Sequence, residues 1–106
     1  MGKTKASSVG KKQVVGTSKL SAQVAEGKAF VLKDGRQLRT IYELIDELET
    51  MNDDSFHQFV NERKNDFASW VEGVFGDKTL AAELKGLDSR VDSQRAILKH
   101  VVRVLQ

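Results

Sequence analysis

At 106 residues with 40% apolar side chains and no cysteine, the chain has the size and composition of one domain around one core, and disulfides, thiolate metal sites and cysteine nucleophiles are excluded. No segment approaches the ~18 apolar residues that span a bilayer, and the charged N-terminus is not followed by the apolar run of a secretory signal, so the expected location is cytoplasmic, with no membrane partner. The net charge of +2 conceals an asymmetry: residues 1–25 hold five lysines and no acid, whereas residues 26–106 carry twelve basic against fifteen acidic side chains.

From Met1 to Lys19 the composition is Gly, Ser, Thr, Lys and Val without helical periodicity. Such a segment buries too little surface to offset an ordering cost of roughly 1–2 kcal/mol per residue, so residues 1–19 read as a disordered basic tail in front of a single helical domain over 20–106. Ala6 stands where a myristoylation signal wants Ser or Thr. Gly2-Lys3-Thr4 lacks the upstream glycine and strand of a phosphate-binding loop. Ser18 is placed to cap a short helix over Leu20 to Glu26, ended by Gly27.

Asp34-Gly35 lies between residues of strand preference, Phe30-Val31-Leu32 and Gln37-Leu38, and suits a two-residue turn, giving a small hairpin or a single turn. Thr40-Ile41-Tyr42-Glu43 has capping-box spacing. Ile41, Leu44, Ile45 and Leu48 then mark one face of a helix. Asn52-Asp53-Asp54-Ser55 ends that helix and caps another with Phe56, Phe59 and Val60 inward. Asn65-Asp66 caps a third, in which Phe67, Trp70, Val71, Val74 and Phe75 form the heaviest apolar stripe of the chain. Gly76 stops it and Asp77 caps a fourth with Leu80, Ala81 and Leu84 inward.

Asp88 or Ser89 opens the last helix, whose buried side is expected to be Val91, Leu98, Val101, Val102 and Leu105. Ile97 and Val104 lie beside this stripe and widen the apolar arc. The expected fold is mainly α: a compact bundle or orthogonal array of about five short helices, with the small N-terminal hairpin packed on it.

The segment Asn65-Asp66-Phe67-Ala68-Ser69-Trp70-Val71-Glu72-Gly73-Val74-Phe75-Gly76-Asp77-Lys78-Thr79-Leu80-Ala81 resembles an uncharacterised helical domain family of archaea and bacteria with a Phe-x-x-Trp-Val/Ile core followed by Gly-Asp-x-x-Leu-Ala. The resemblance reaches back to Phe30 and Thr40, over about fifty residues. It implies a helical accessory domain and implies no activity. Packing alone explains the same residues: the aromatic side chains fill a core, and Gly76-Asp77 stop one helix and start the next. Gly73 costs about 1 kcal/mol in a helix interior; close approach of a neighbouring helix is the expected reason, and a functional cleft the lesser one.

No catalytic, metal-ligating or cofactor-binding constellation emerges. His57 and His100 have no second histidine at helical spacing. Glu43, Asp46, Glu47 and Glu49 read as the solvated face of a helix, since a tuned carboxylate needs burial or a specific partner. A non-enzymatic chain without cofactor is therefore expected, a helical module that binds another protein through Trp70, Ile97 or Val104; whether it is monomer or dimer stays open. The alternative is a nucleic-acid-associated accessory protein. Its contacts would be Lys3, Lys5, Lys11, Lys12 and Lys19 of the tail, together with the strip Arg95, Lys99 and Arg103 at i, i+4 and i+8.

Overall fold

A computed structural model of the protein describes residues 20 and 22–104. The tail, its five lysines, the Ser18 cap and Leu105 lie outside them. Residues 22–26 are not helical, which corrects the short helix expected there. The segment instead ends in a turn, with Lys28 N–H donating to the Ala25 carbonyl at 3.0 Å, and is held by tertiary bonds: the Val24 N–H donates to the Arg39 carbonyl at 2.8 Å, and Trp70 Nε1 donates to the Lys28 carbonyl at 2.8 Å. One or two isolated turns do not compete with such partners.

Strands β1 (Phe30–Val31) and β2 (Gln37–Leu38) pair antiparallel, with Phe30 opposite Leu38. The turn is one residue longer than expected. Gly35 N–H donates to the Leu32 carbonyl and Leu32 N–H to the Arg36 carbonyl, so Lys33-Asp34-Gly35 form a three-residue loop with Gly35 at φ +93°. Only the last loop residue takes positive φ, which is the geometry of a turn closed by a glycine bulge. Arg36 ties the hairpin to the next element, meeting Glu47 with two bonds of 3.0 and 2.8 Å.

Helix α1 (Ile41–Thr50) begins as its capping spacing predicts: Thr40 Oγ1 accepts from the Glu43 N–H at 3.0 Å. The Glu43 carboxylate accepts from the N–H of Arg39, one residue outside the expected partner. Helix α2 (Asp53–Phe59) is capped by Asn52, whose Oδ1 accepts from the Ser55 N–H. Val60–Asn61 (β3) and Lys64–Asn65 (β4) then form a second, unforeseen hairpin. Helix α3 (Asp66–Trp70) opens at the Asn65 cap and widens into a π-helical turn, Val71–Phe75, ended by Gly76 at φ +69°. The π turn has a packing role. Eight residues of pure α-helix would rotate Phe75 about 80° away from Phe67, and the wider turn takes most of that back, so that Phe67, Val71 and Phe75 are all buried.

Helix α4 (Lys78–Lys85) starts at the Asp77 cap, and α5 (Arg90–Val104) at Ser89, whose Oγ accepts from the Asp92 N–H. Among the described residues the fold is thus mainly helical, five short helices with small hairpins.

The core centres on Phe30, which stacks on Phe67 at 4.9 Å and meets Phe59 and Trp70 edge-on at 5.3 and 5.7 Å. Such pairs add about 0.5–1.5 kcal/mol each beyond their area burial. Gly73 is exposed, and a Cβ there would meet no atom within 4 Å. Among the described residues no helix approaches it, which overturns the packing reason expected for this glycine.

The last helix is rotated relative to expectation. Ser93, Ala96, Ile97, His100 and Val101 face inward, while Val91, Leu98 and Val102 are exposed. Two stripes run along α5, and the lighter one is buried. Its small residues let the helix lie close against α1 and α4, and His100 Nε2 sits 2.7 Å from Asp77 Oδ2 at the α4 cap. Of the expected inward set, Val101 alone is buried among the described residues.

Candidate interaction surface

Helix α5 is held along one edge by α1. Arg90 donates to the Leu48 carbonyl at 2.6 Å and, one turn on, Gln94 donates to the Ile45 carbonyl at 3.1 Å and to Glu49 Oε1 at 2.8 Å. Residue numbers rise on α5 as they fall on α1, so the two helices are antiparallel. One further turn along the same seam come Tyr42 and Leu98, both exposed. Gln94 and Arg90 also satisfy carbonyls in the C-terminal half of α1, part of which has no intrahelical donor.

The side of α5 turned away from the core, beside this edge, faces solvent. Val91, Leu98 and Val102 are 45%, 43% and 56% exposed. With helical rotation of 100° per residue they fall within about 40° of one another, forming a single apolar stripe. Arg95 lies between Val91 and Leu98 on its outer margin, followed by Lys99 and Arg103, all exposed. None of these three cations is in an ion pair among the described residues, whereas Arg36, Lys64, Lys85 and Arg90 all are. On the α1 side the stripe is bordered by exposed Asp46 and Glu49. The apolar stripe thus has charged side chains along both borders.

The residues first singled out for partner contact lie elsewhere. Trp70 is 8% exposed inside the aromatic cluster, edge-on to Phe75 at 5.1 Å. Ile97 is fully buried and Val104 packs half-buried against the core. The structure brings Arg95, Lys99 and Arg103 together as expected and adds Val91, Leu98, Val102 and Tyr42. One signal in the sequence distinguishes the two α5 stripes: Arg95 interrupts the heavier one, while the lighter one, from Ser93 through Ala96 and His100, holds no permanently charged group.

Other concave regions hold less chemistry. An open groove of about 930 Å³ lies between the second hairpin and the α4–α5 link, with His57, Asn65 and Lys85 among its lining residues. Two of its cations are already engaged, Lys64 with Asp66 and Lys85 with Glu72. A notch of about 260 Å³ is bounded by Val24, Gly73 and Phe75. Among the described residues no three His, Cys, Asp or Glu side chains converge as a metal site, and no helix is long and apolar enough to cross a membrane.

A family model for a family of unknown function, DUF5752, matches residues 9–106. The chain belongs to the DUF5752 family. The match extends well beyond the fifty residues around the Phe67 to Ala81 pattern and begins inside the segment read as a tail. It therefore takes in the α5 face of this DUF5752 chain together with its aromatic core. No curated protein and no solved structure matches the chain.

Proposed function

We propose that this DUF5752 chain is a non-enzymatic interaction module of the cytoplasm that binds another protein through the outer face of α5. The observation that supports this reading is the stripe Val91, Leu98 and Val102, left exposed by a helix whose other side is fully used in the core. An apolar helix face with a charged border suits a helical partner surface. A photo-crosslinking side chain at Val102 is expected to trap a protein in cells, a second copy of the chain included. The same side chain at exposed Thr79 on α4 serves as the control. Absence of any adduct specific to position 102 would overturn the reading.

The second reading is nucleic-acid association, favoured by Arg95, Lys99 and Arg103, which form an exposed basic strip without ion-pair partners among the described residues. Three phosphate contacts on B-form DNA would give log K against log salt a slope of about −2.7, and the five tail lysines would steepen it by up to about −4.5. Titration of labelled DNA with full-length and tail-deleted protein at two salt concentrations tests it; the absence of salt-sensitive binding in both rejects it.

A further inference from the structure

The stripe on α5 has the spacing of a helix-pairing seam. Val91, Arg95, Leu98 and Val102 follow one another at four, three and four residues, the alternation that keeps one seam toward a partner helix. Arg95 stands at the outer margin of this seam, on the side away from α1.

The borders of the seam differ in sign. On one side run Arg95, Lys99 and Arg103, with Asp92 the lone acid at the N-terminal end; on the other lies α1, which presents exposed Asp46 and Glu49 and has no basic side chain. A two-fold axis running along α5 exchanges left and right. It would set the basic border of one copy over the acidic border of the other, twice in the same interface. An axis across the helix would keep left on left and oppose acid to acid and base to base. Like charges so opposed cost several kcal/mol, and a closed two-fold pair is the commonest symmetric assembly.

Height along the axis also agrees. Because Gln94 reaches Ile45 and the helices are antiparallel, Arg95 and Asp46 stand about 3 Å apart in height, an offset that a long arginine side chain spans and that a parallel pair preserves between copies.

From this we infer that the outer face of α5 closes on a second copy of the chain, with the two α5 helices parallel. The inference rests on the reading of this face as an interaction surface and names its partner. Arg95 of each copy faces Asp46 of the other, and Leu98 and Val102 meet their own equivalents at the centre.

Light scattering of the full chain is expected to show a dimer at about 100 μM, since interfaces of modest size populate dimers at micromolar concentration. Leu98→Asp should weaken it at least tenfold while circular dichroism reports an unchanged fold. Arg95→Glu should weaken it about tenfold, and adding Asp46→Lys in the same chain should restore it. The chain has no cysteine, so Val102→Cys introduces a unique thiol; under mild oxidation it should yield a disulfide-linked dimer, because parallel helices bring the two positions within the ~7 Å Cα separation a disulfide needs, whereas an antiparallel pair centred on Leu98 would hold them about 12 Å apart.

A wild-type monomer at that concentration would overturn the inference. So would a dimer indifferent to Leu98→Asp, or Val102→Cys chains that fail to cross-link. If the chain is monomeric, a heterologous adduct trapped from position 102 would still support the interaction surface, and the absence of any adduct would remove both readings.

Discussion

Asn65 shows how much one side chain decides in this protein. Its Oδ1 accepts from the Ala68 N–H at 2.9 Å and caps α3, while its Nδ2 donates to the Leu84 carbonyl at 2.9 Å, at the end of α4. The amide joins the start of one helix to the end of another, satisfying a donor that the helix start leaves open and adding a side-chain bond to a carbonyl that also accepts from the Leu87 N–H at 3.0 Å. Asn65→Ala should cost about 2–3 kcal/mol in urea unfolding, a cap plus a tertiary hydrogen bond. Asn65→Asp keeps the acceptor and loses the donor, so it should fall between Ala and wild type; an Asp variant as stable as wild type would show that the bond to Leu84 contributes nothing, and equal losses for both variants that the cap does not. Gly73 is the opposite case. It lies in the π turn without positive φ, and a Cβ there would stand in open space, so Gly73→Ala should stabilise by about 0.5–1 kcal/mol. For a domain of this size that raises the melting temperature by several degrees.

The N-terminal hairpin and α5 illustrate elements whose positions depend on charge and on face. In the hairpin, Arg36 holds the Asp34 carboxyl below the ordinary aspartate range, first through its backbone N–H at 3.0 Å and then through its guanidinium at 2.7 Å. Arg36 in turn is raised above its usual value, chiefly by Glu47 and then by Asp34. A depressed carboxyl contributes stability that is present above its unfolded pKa and lost as pH falls through the folded one. The Arg36 amide resonance should therefore titrate with a midpoint below that of an ordinary aspartate, and Asp34→Asn should abolish the transition. A midpoint at or above the ordinary value would contradict the bonding described.

For α5 the rotated face makes a sharp contrast between adjacent residues. Ile97→Ala removes a fully buried side chain and should cost about 2–5 kcal/mol. Leu98→Ala lies on the exposed stripe and should change stability by no more than about 0.5 kcal/mol. Denaturant unfolding at dilute concentration separates them; a large loss at Leu98 would place it in the core.

At the level of the whole molecule, the aromatic cluster draws in residues far apart in the chain. Phe30 comes from the hairpin, Phe59 from α2, and Phe67 and Trp70 from α3, while Trp70 Nε1 holds the Lys28 carbonyl 42 residues away. The domain thus closes on its own N-terminal arm, which leaves α5 with one side in the core and one side free. If that side binds a second copy, stability depends on concentration by mass action. The melting temperature of the wild type should rise as concentration increases across the range in which dimer forms, and that of Leu98→Asp should not. A concentration-independent wild type would argue against self-association.

The helices were legible wherever local chemistry settles them. Thr40, Asn52, Asn65, Asp77 and Ser89 each accept a backbone N–H at the start of a helix, and a cap is a short-range bond that spacing alone reveals. Gly35 and Gly76 were likewise readable, because positive φ singles out glycine. The second hairpin was not, since two-residue strands such as Val60–Asn61 carry too few residues to show alternation. The candidate surface was half legible. Arg95, Lys99 and Arg103 are exposed as their spacing suggests, but Ile97 and Leu98 exchanged places. Periodicity states that α5 has two apolar stripes and is silent on which one its neighbours cover. That choice belongs to packing: Arg90 and Gln94 bind α1, His100 binds the α4 cap, and the stripe between those contacts is the one withdrawn from water.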